Sequence, residues 1–354
     1  LALSVPWYIL VTLANGEDYI DSFFGYHNFE RFTEVVNHHS APWYFYFLVV
    51  LVGFAPWSSY LPIAIARLRF WQRDRWCSSP RSSQLGLFAG FWFAGIFGFF
   101  TIAVTKLPSY VLPLMPAAAI IVALWWSDRL TRRGKGRKSL IPVILSGGFN
   151  VVFLLVIAGA ILYSPQFIGY DPAAPNLSEL LQQSRLPLFG GIIWGITAIA
   201  TVIALVKRPW WRWIWTINLV GFVAFIIFVV TPASFLLDQA RQQPLRELSK
   251  IARVERPGEE LLMVGFEKPS VVFYTQRSVN YFDDNKEAIR HIEKLGANSS
   301  NPPSVLILIE FKRFNKIKEK WLKPNEYTNL GSAGAYHLIR VSKQVIAKNL
   351  PLNN

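Results

Sequence analysis

The sequence predicts a mainly α-helical, polytopic transmembrane bundle followed by a small external α/β domain. Three observations predict it. Of 354 residues, 52% are hydrophobic and only 16% are charged, with 14 tryptophans and 27 phenylalanines, the profile of a multi-spanning membrane protein with a smaller water-soluble part. Apolar runs of bilayer-spanning length recur up to residue 234, and the basic residues are confined to alternate loops between them. From residue 235 onward the composition changes to short β-branched runs and amphipathic helical patterns. The expected domains are therefore 1–234, a bundle with an external loop at 15–42, and 235–354, a soluble α/β domain.

The opening run "LALSVPWYILVTLA" has 14 residues, about 21 Å of helix at 1.5 Å per residue. A bilayer core needs roughly 30 Å. No basic n-region or cleavage site precedes the run, so it does not read as a signal peptide. It reads as the end of a spanning helix that begins upstream, and the chain as the C-terminal part of a longer protein. Further apolar runs lie at 43–66, 85–104, 108–127, 140–163, 186–206 and 214–234, which makes seven spans with the truncated first one.

The loops fix the orientation. Segments 67–84, 128–139 and 207–213 hold 5, 6 and 3 Lys/Arg, whereas 15–42, 105–107 and 164–185 hold only Arg31, Lys106 and Arg185. The positive-inside rule puts the basic loops in the cytoplasm. The loop 15–42, the turn "TKLPSY" and the tail are then extracytoplasmic. Much of the net charge of +14 is thus topology, facing anionic headgroups, and does not signal nucleic acid. The single cysteine, Cys77, excludes an internal disulfide and a cysteine metal site.

In the tail, "LLMVGF", "SVVFYT", "VLILIE" and "YHLIRV" read as strands. "NKEAIRHIEKLG" reads as a helix with Ala288, Ile289, Ile292 and Leu295 on one face, Asn285 as its cap and Gly296 as its stop. A second helix is expected at 236–254 around Pro244, and "PNEYTNLGSAG" reads as a loop. No GxGxxG or P-loop accompanies the strands, so the pattern gives no support to nucleotide binding.

The chemistry-bearing residues cluster outside. "FFGYHNFERFTEVVNHHSAPWYFYF" (23–47) holds His27, Glu30, Arg31, His38 and His39. A guanidinium such as Arg31 clamps a phosphate with two parallel hydrogen bonds; the plainer reading pairs it with Glu30. The three histidines are candidate ligands for a divalent metal, although adjacent histidines rarely share one ion and no HExxH is present. Interfacial hydrogen bonding is their plainer role. In "TKLPSYVLP", the short turn holds Lys106 and Tyr110 near the external surface, where a lipid-linked phosphate would sit. A lone lysine there also snorkels to headgroups. Trp43, Tyr44, Trp57 and Tyr60 fit an aromatic belt.

"HNFERF…HHSAPWYFY…GFAPWSSYLP" together with "TKLPSYVLPLMPA" resembles the polyprenyl-phosphate-sugar-dependent membrane glycosyltransferases. This is the group of the protein O-mannosyltransferases and the aminoarabinose transferases that modify lipid A. "SVVFYTQRSVNYF" also looks like that group's external C-terminal domain. The resemblance implies a GT-C fold, an integral membrane protein of the bacterial inner or plasma membrane, and an active site at the outer face. It implies transfer of a sugar from a polyprenyl phosphate to a lipid, protein or glycan acceptor. Arg31 and Tyr110 are similar to family residues that hold the donor phosphate, with Lys106 beside them; His27, Glu30, His38 and His39 would line the site. The position nearest a histidine frequent in the family reads Tyr26-His27-Asn28. The family's base resembles an aspartate in a first external loop, N-terminal to Leu1. No catalytic base is assigned here, and the chain alone is expected to be inactive.

Two other function classes compete. A flippase for lipid-linked sugars would carry ionised side chains at mid-membrane depth, and 43–66, 85–104 and 108–127 contain none. A non-catalytic scaffold whose tail binds a partner is compatible with the sequence.

Overall fold

The computed structural model describes residues 4–23, 25, 33, 41–78, 80, 84–131, 140–256, 258–297, 303–320 and 325–343. The chain divides into two compact units, Leu1–Ala158 with Ile192–Val223, and Gly159–Gly191 with Ala224–Asn354.

Among the described residues five helices are long and apolar enough to cross a membrane: Leu85–Ile102, Pro108–Thr131, Ile141–Leu162, Leu186–Val206 and Pro209–Arg241. Their outward side chains are large and apolar, with Phe91, Leu145, Ile199 and Val206 all exposed, as a lipid-facing surface requires. The protein is an integral, multi-pass membrane protein. The opening helix, Ser4–Asn15, has 12 residues and is too short to count among the five.

The apolar run at 43–66 departs from the straight span expected of it. It folds as Phe45–Gly53 followed by Trp57–Leu68, bent by 115°. Pro56 supplies no backbone donor and interrupts the ladder. The break is held from another helix: Asn150 Nδ2 donates to Pro56 O at 3.1 Å and to Ser59 Oγ at 2.9 Å. Below the break, Tyr60 packs on Trp125 and Trp126 with ring centroids 5.8 and 5.3 Å apart. At the far end Arg67 pairs with Asp128 at 2.5 Å and donates to Leu124 O at 2.8 Å.

Small residues let the other helices approach, as is usual where lipid removes the hydrophobic drive for association. A Cβ on Gly147 would meet Leu205 at 2.8 Å, and one on Gly221 would meet the Thr197 hydroxyl at 2.3 Å.

The second unit contains a five-stranded sheet: β1 Leu261–Val264, β2 Val279–Phe282, β3 Ser304–Glu310, β4 Tyr327–Ala333 and β5 Tyr336–Ser342. The order is β2-β1-β3-β5-β4, with β1 parallel to β2 and β3, and β5 antiparallel to β3 and β4. On one face Leu262, Val264, Ile307 and Ile339 pack under Ile289 and Ile292 of the helix Asn285–Ala297. On the other, Leu261, Met263, Leu306 and Leu338 pack under Leu245 and Leu248 of the helix Gln243–Val254. Both faces are covered, so β3 reads as the unbroken apolar run "VLILI".

Three tail expectations are corrected. "SVVFYT" is a helix, Ser270–Thr275, because β1 and β2 are parallel and need a crossover between them. "YTNLGSA" is the edge strand β4, with a bulge between Asn329 and Gly331; its half-exposed position tolerates weak β-formers. Asn285 opens its helix, but its side-chain oxygen accepts no hydrogen bond, so it is not a side-chain cap.

Candidate donor-phosphate site

The turn that carries Lys106 is built by its neighbours. The helix Leu85–Ile102 ends as Ala103 turns extended, at φ −57° and ψ 141°. Leu107 is extended as well, and Pro108 opens a 3-10 helix, Pro108–Leu114, a position where its missing donor costs nothing. The turn is not a surface flap, since Ala103, Thr105 and Lys106 are all buried.

Lys106 is 7% exposed. Its Nζ donates to Thr101 O at 2.8 Å and to Ala103 O at 2.5 Å, which satisfies carbonyls left over at the helix C-terminus. It also lies 5.8 Å from the centroid of the Tyr46 ring, within cation–π range. Among the described residues no carboxylate lies within ion-pairing distance of it. Burial lowers the ammonium pKa from its ordinary value, since desolvation disfavours the charged form. The structure thus corrects the snorkelling alternative: the ammonium is held inside the protein.

Tyr110 follows one turn later. Its N–H donates to Leu107 O at 3.1 Å, and its half-buried ring packs on Phe100 with centroids 5.1 Å apart. Tyr46, 0% exposed, donates its hydroxyl to Leu107 O at 3.2 Å and so fixes the turn from the helix Phe45–Gly53. Sequence reasoning missed Tyr46. The signal available was the run "PWYFYF", in which a polar-tipped aromatic alternates with purely apolar ones.

The structure therefore places Lys106 in the buried extended segment and Tyr110 in the 3-10 helix that follows it. Arg31, His27, Glu30, His38 and His39 lie outside the described residues. Among the described residues no group of three or more His, Cys, Asp or Glu is placed to hold a metal ion. The unit also contains a cavity of about 610 Å³ whose walls include Phe54, Trp57, Trp126, Leu130 and Trp215. The helix Pro108–Thr131 carries Tyr110 near one end and lines this cavity near the other.

The chain has relatives among known proteins. Residues 254–352 match the family described as cyanobacterial RgtA-type glycosyltransferase, C-terminal domain. Over 264 residues, 72% of the chain, it is 28% identical to the undecaprenyl phosphate-alpha-4-amino-4-deoxy-L-arabinose arabinosyl transferase of Pectobacterium carotovorum. The chain resembles the polyprenyl-phosphate sugar transferases of the GT-C class. The enzymes of the same description from Edwardsiella ictaluri and Aeromonas hydrophila are 30% and 32% identical over 60% and 59% of the chain. The matches span only 36%, 44% and 38% of the length of the Edwardsiella, Pectobacterium and Aeromonas proteins. In fold, the crystal structure of ArnT from Cupriavidus metallidurans bound to undecaprenyl phosphate superposes with a TM-score of 0.64 at 16% identity. That superposition covers 96% of this chain and 59% of that one. The bundle with its small mixed sheet is thus an ArnT fold.

Proposed function

We propose that the protein is a membrane glycosyltransferase that moves a sugar from a polyprenyl-phosphate donor to an extracytoplasmic acceptor, a lipid, protein or glycan. The observation that carries this reading is the buried Lys106 ammonium, which has no carboxylate partner among the described residues. An unneutralised buried cation is costly, and an anionic headgroup entering the turn offsets that cost.

In this reading Lys106, Tyr110 and Arg31 hold the donor phosphate. Sugar transfer leaves charge on that phosphate, and fixed cations and hydroxyl donors aimed at it lower the barrier. The polyprenyl chain runs down the helix Pro108–Thr131 toward the aromatic cavity, while the sugar projects outward. Domains 1–234 and 235–354 are then the bundle and an extracytoplasmic tail. The names of the relatives support a sugar on undecaprenyl phosphate as donor. The flippase reading gains nothing: Asp128 and Arg129 sit near one end of their span, not at its middle.

The test is release of free polyprenyl phosphate when the intact protein, in liposomes, receives a polyprenyl-phosphate sugar and an acceptor extract. Arg31→Ala and Lys106→Ala should abolish release while leaving expression intact. Unchanged turnover in both variants would remove the phosphate clamp.

A further inference from the structure

We propose that the sheet-bearing unit carries a saccharide-binding pocket of its own, none of whose residues belongs to the donor-phosphate set. A cavity of about 360 Å³ lies among the segment 173–180, the helix pair around Gln243 and the β4–β5 turn. That volume falls within the ordinary range for small-ligand sites.

Its chemistry is that of a sugar site. The floor is apolar and buried, made by Ala174, Leu177, Pro244 and Ala335. The rim carries Asn176, Gln239, Gln243 and Glu247, all exposed. Gln243 Nε2 donates to Glu247 Oε1 at 2.9 Å, which orients both side chains. Amides both donate and accept, as sugar hydroxyls do, and an apolar floor takes the C–H face of a pyranose ring.

Charge narrows the class. Two nearby arginines are matched within the unit: Arg241 pairs with Asp171, and Arg246 with Asp238. Glu247 is the one ionised side chain among the lining residues. A carboxylate on the rim disfavours a phosphorylated or acidic ligand and favours a neutral or amine-bearing sugar.

The walls are fixed without a ligand. Asp171 Oδ1 accepts from the Ala173 N–H at 3.0 Å, while its other oxygen takes Arg241. Gly334 turns at φ 55°, and a Cβ there would meet Pro244 at 2.7 Å. Both constraints hold the pocket's edges in place, so little ordering is needed on binding. Gln239 and Ala240 lie in the last turn of the helical stretch Pro209–Arg241, beyond the apolar run 214–234.

The test is saturation-transfer NMR on the full chain in nanodiscs, with methyl β-D-glucopyranoside and glucosamine as probes. Transfer to the ring protons of at least one probe is expected. It should fall roughly fivefold, as for the loss of one hydrogen bond, in Gln243→Ala, in Glu247→Ala, or in both. Both residues are exposed, so the circular dichroism of the variants should match the parent. Transfer to neither probe, or equal transfer in the parent and both variants, overturns the proposal. The readout is binding alone, so it stands apart from any result on sugar transfer.

Discussion

Lys106 donates to two carbonyls at the C-terminal end of the helix it follows, those of Thr101 and the cap residue Ala103, and that capping role alone would be satisfied by many arrangements. Its burial without a described carboxylate is what a cap does not require. Replacing it with methionine should therefore lower turnover of donor by about 10²–10³, the effect of losing one fixed charge-stabilising donor, with steady-state kinetics as the check. Tyr110→Phe keeps the ring against Phe100 and loses only the hydroxyl. Its expected loss is smaller, roughly tenfold or somewhat more, as for a hydrogen bond to a charged group. The pH dependence follows from the lowered ammonium pKa. As pH rises, Lys106 loses its proton before the ordinary lysine value of 10.5 is reached, so donor affinity should fall on that alkaline limb, and Lys106→Met should lack it. The lysine was legible in the sequence because it is the one basic residue in its turn. Its burial was not, since that depends on Tyr46, which lies 60 positions earlier.

At the scale of elements, the bent pair Phe45–Gly53 and Trp57–Leu68 depends on Asn150. Asn150→Leu removes donors to Pro56 O and Ser59 Oγ and should cost about 0.6–1.7 kcal/mol, the range for polar contacts between membrane helices, measured as a lower melting temperature in detergent. In the sheet-bearing unit, Glu259 has a fully buried side chain that pairs with Arg340. Burial pushes its carboxyl pKa up, but hydrogen bonds from Arg340 and Ser304, with the charges of Arg340 and Arg256, outweigh this and leave it lowered. A lowered folded-state pKa means stability that is present above the unfolded value, near 4.5, and lost as pH falls through the folded value. Arg340→Met strands Glu259 and should cost about 3–5 kcal/mol at neutral pH, read by thermal unfolding. The long apolar spans and the strands "LLMV", "VLILIE" and "YHLIRV" were legible because their burial is written into consecutive apolar residues. "SVVFYT" was not. Its β-branched residues favour a strand locally, and only the parallel pairing of β1 with β2 makes it a crossover helix.

At the scale of the molecule, an ArnT fold with membrane-length helices accounts for a chain that is basic in alternate loops and aromatic throughout. The fold class was legible because bilayer thickness and loop charge act through composition. The candidate site was only half legible: Lys106 and Tyr110 lie on consecutive short segments between two spans, while the other proposed partners lie outside the described residues. The central claim is that this turn grips a lipid-borne phosphate. The most direct measurement is equilibrium binding of undecaprenyl phosphate, against uncharged undecaprenol, to the protein and to Lys106→Met in nanodiscs at neutral pH. The account predicts a loss of phosphate affinity of roughly tenfold or more in the variant, with undecaprenol binding unchanged. Equal affinity of the two proteins for undecaprenyl phosphate would contradict it.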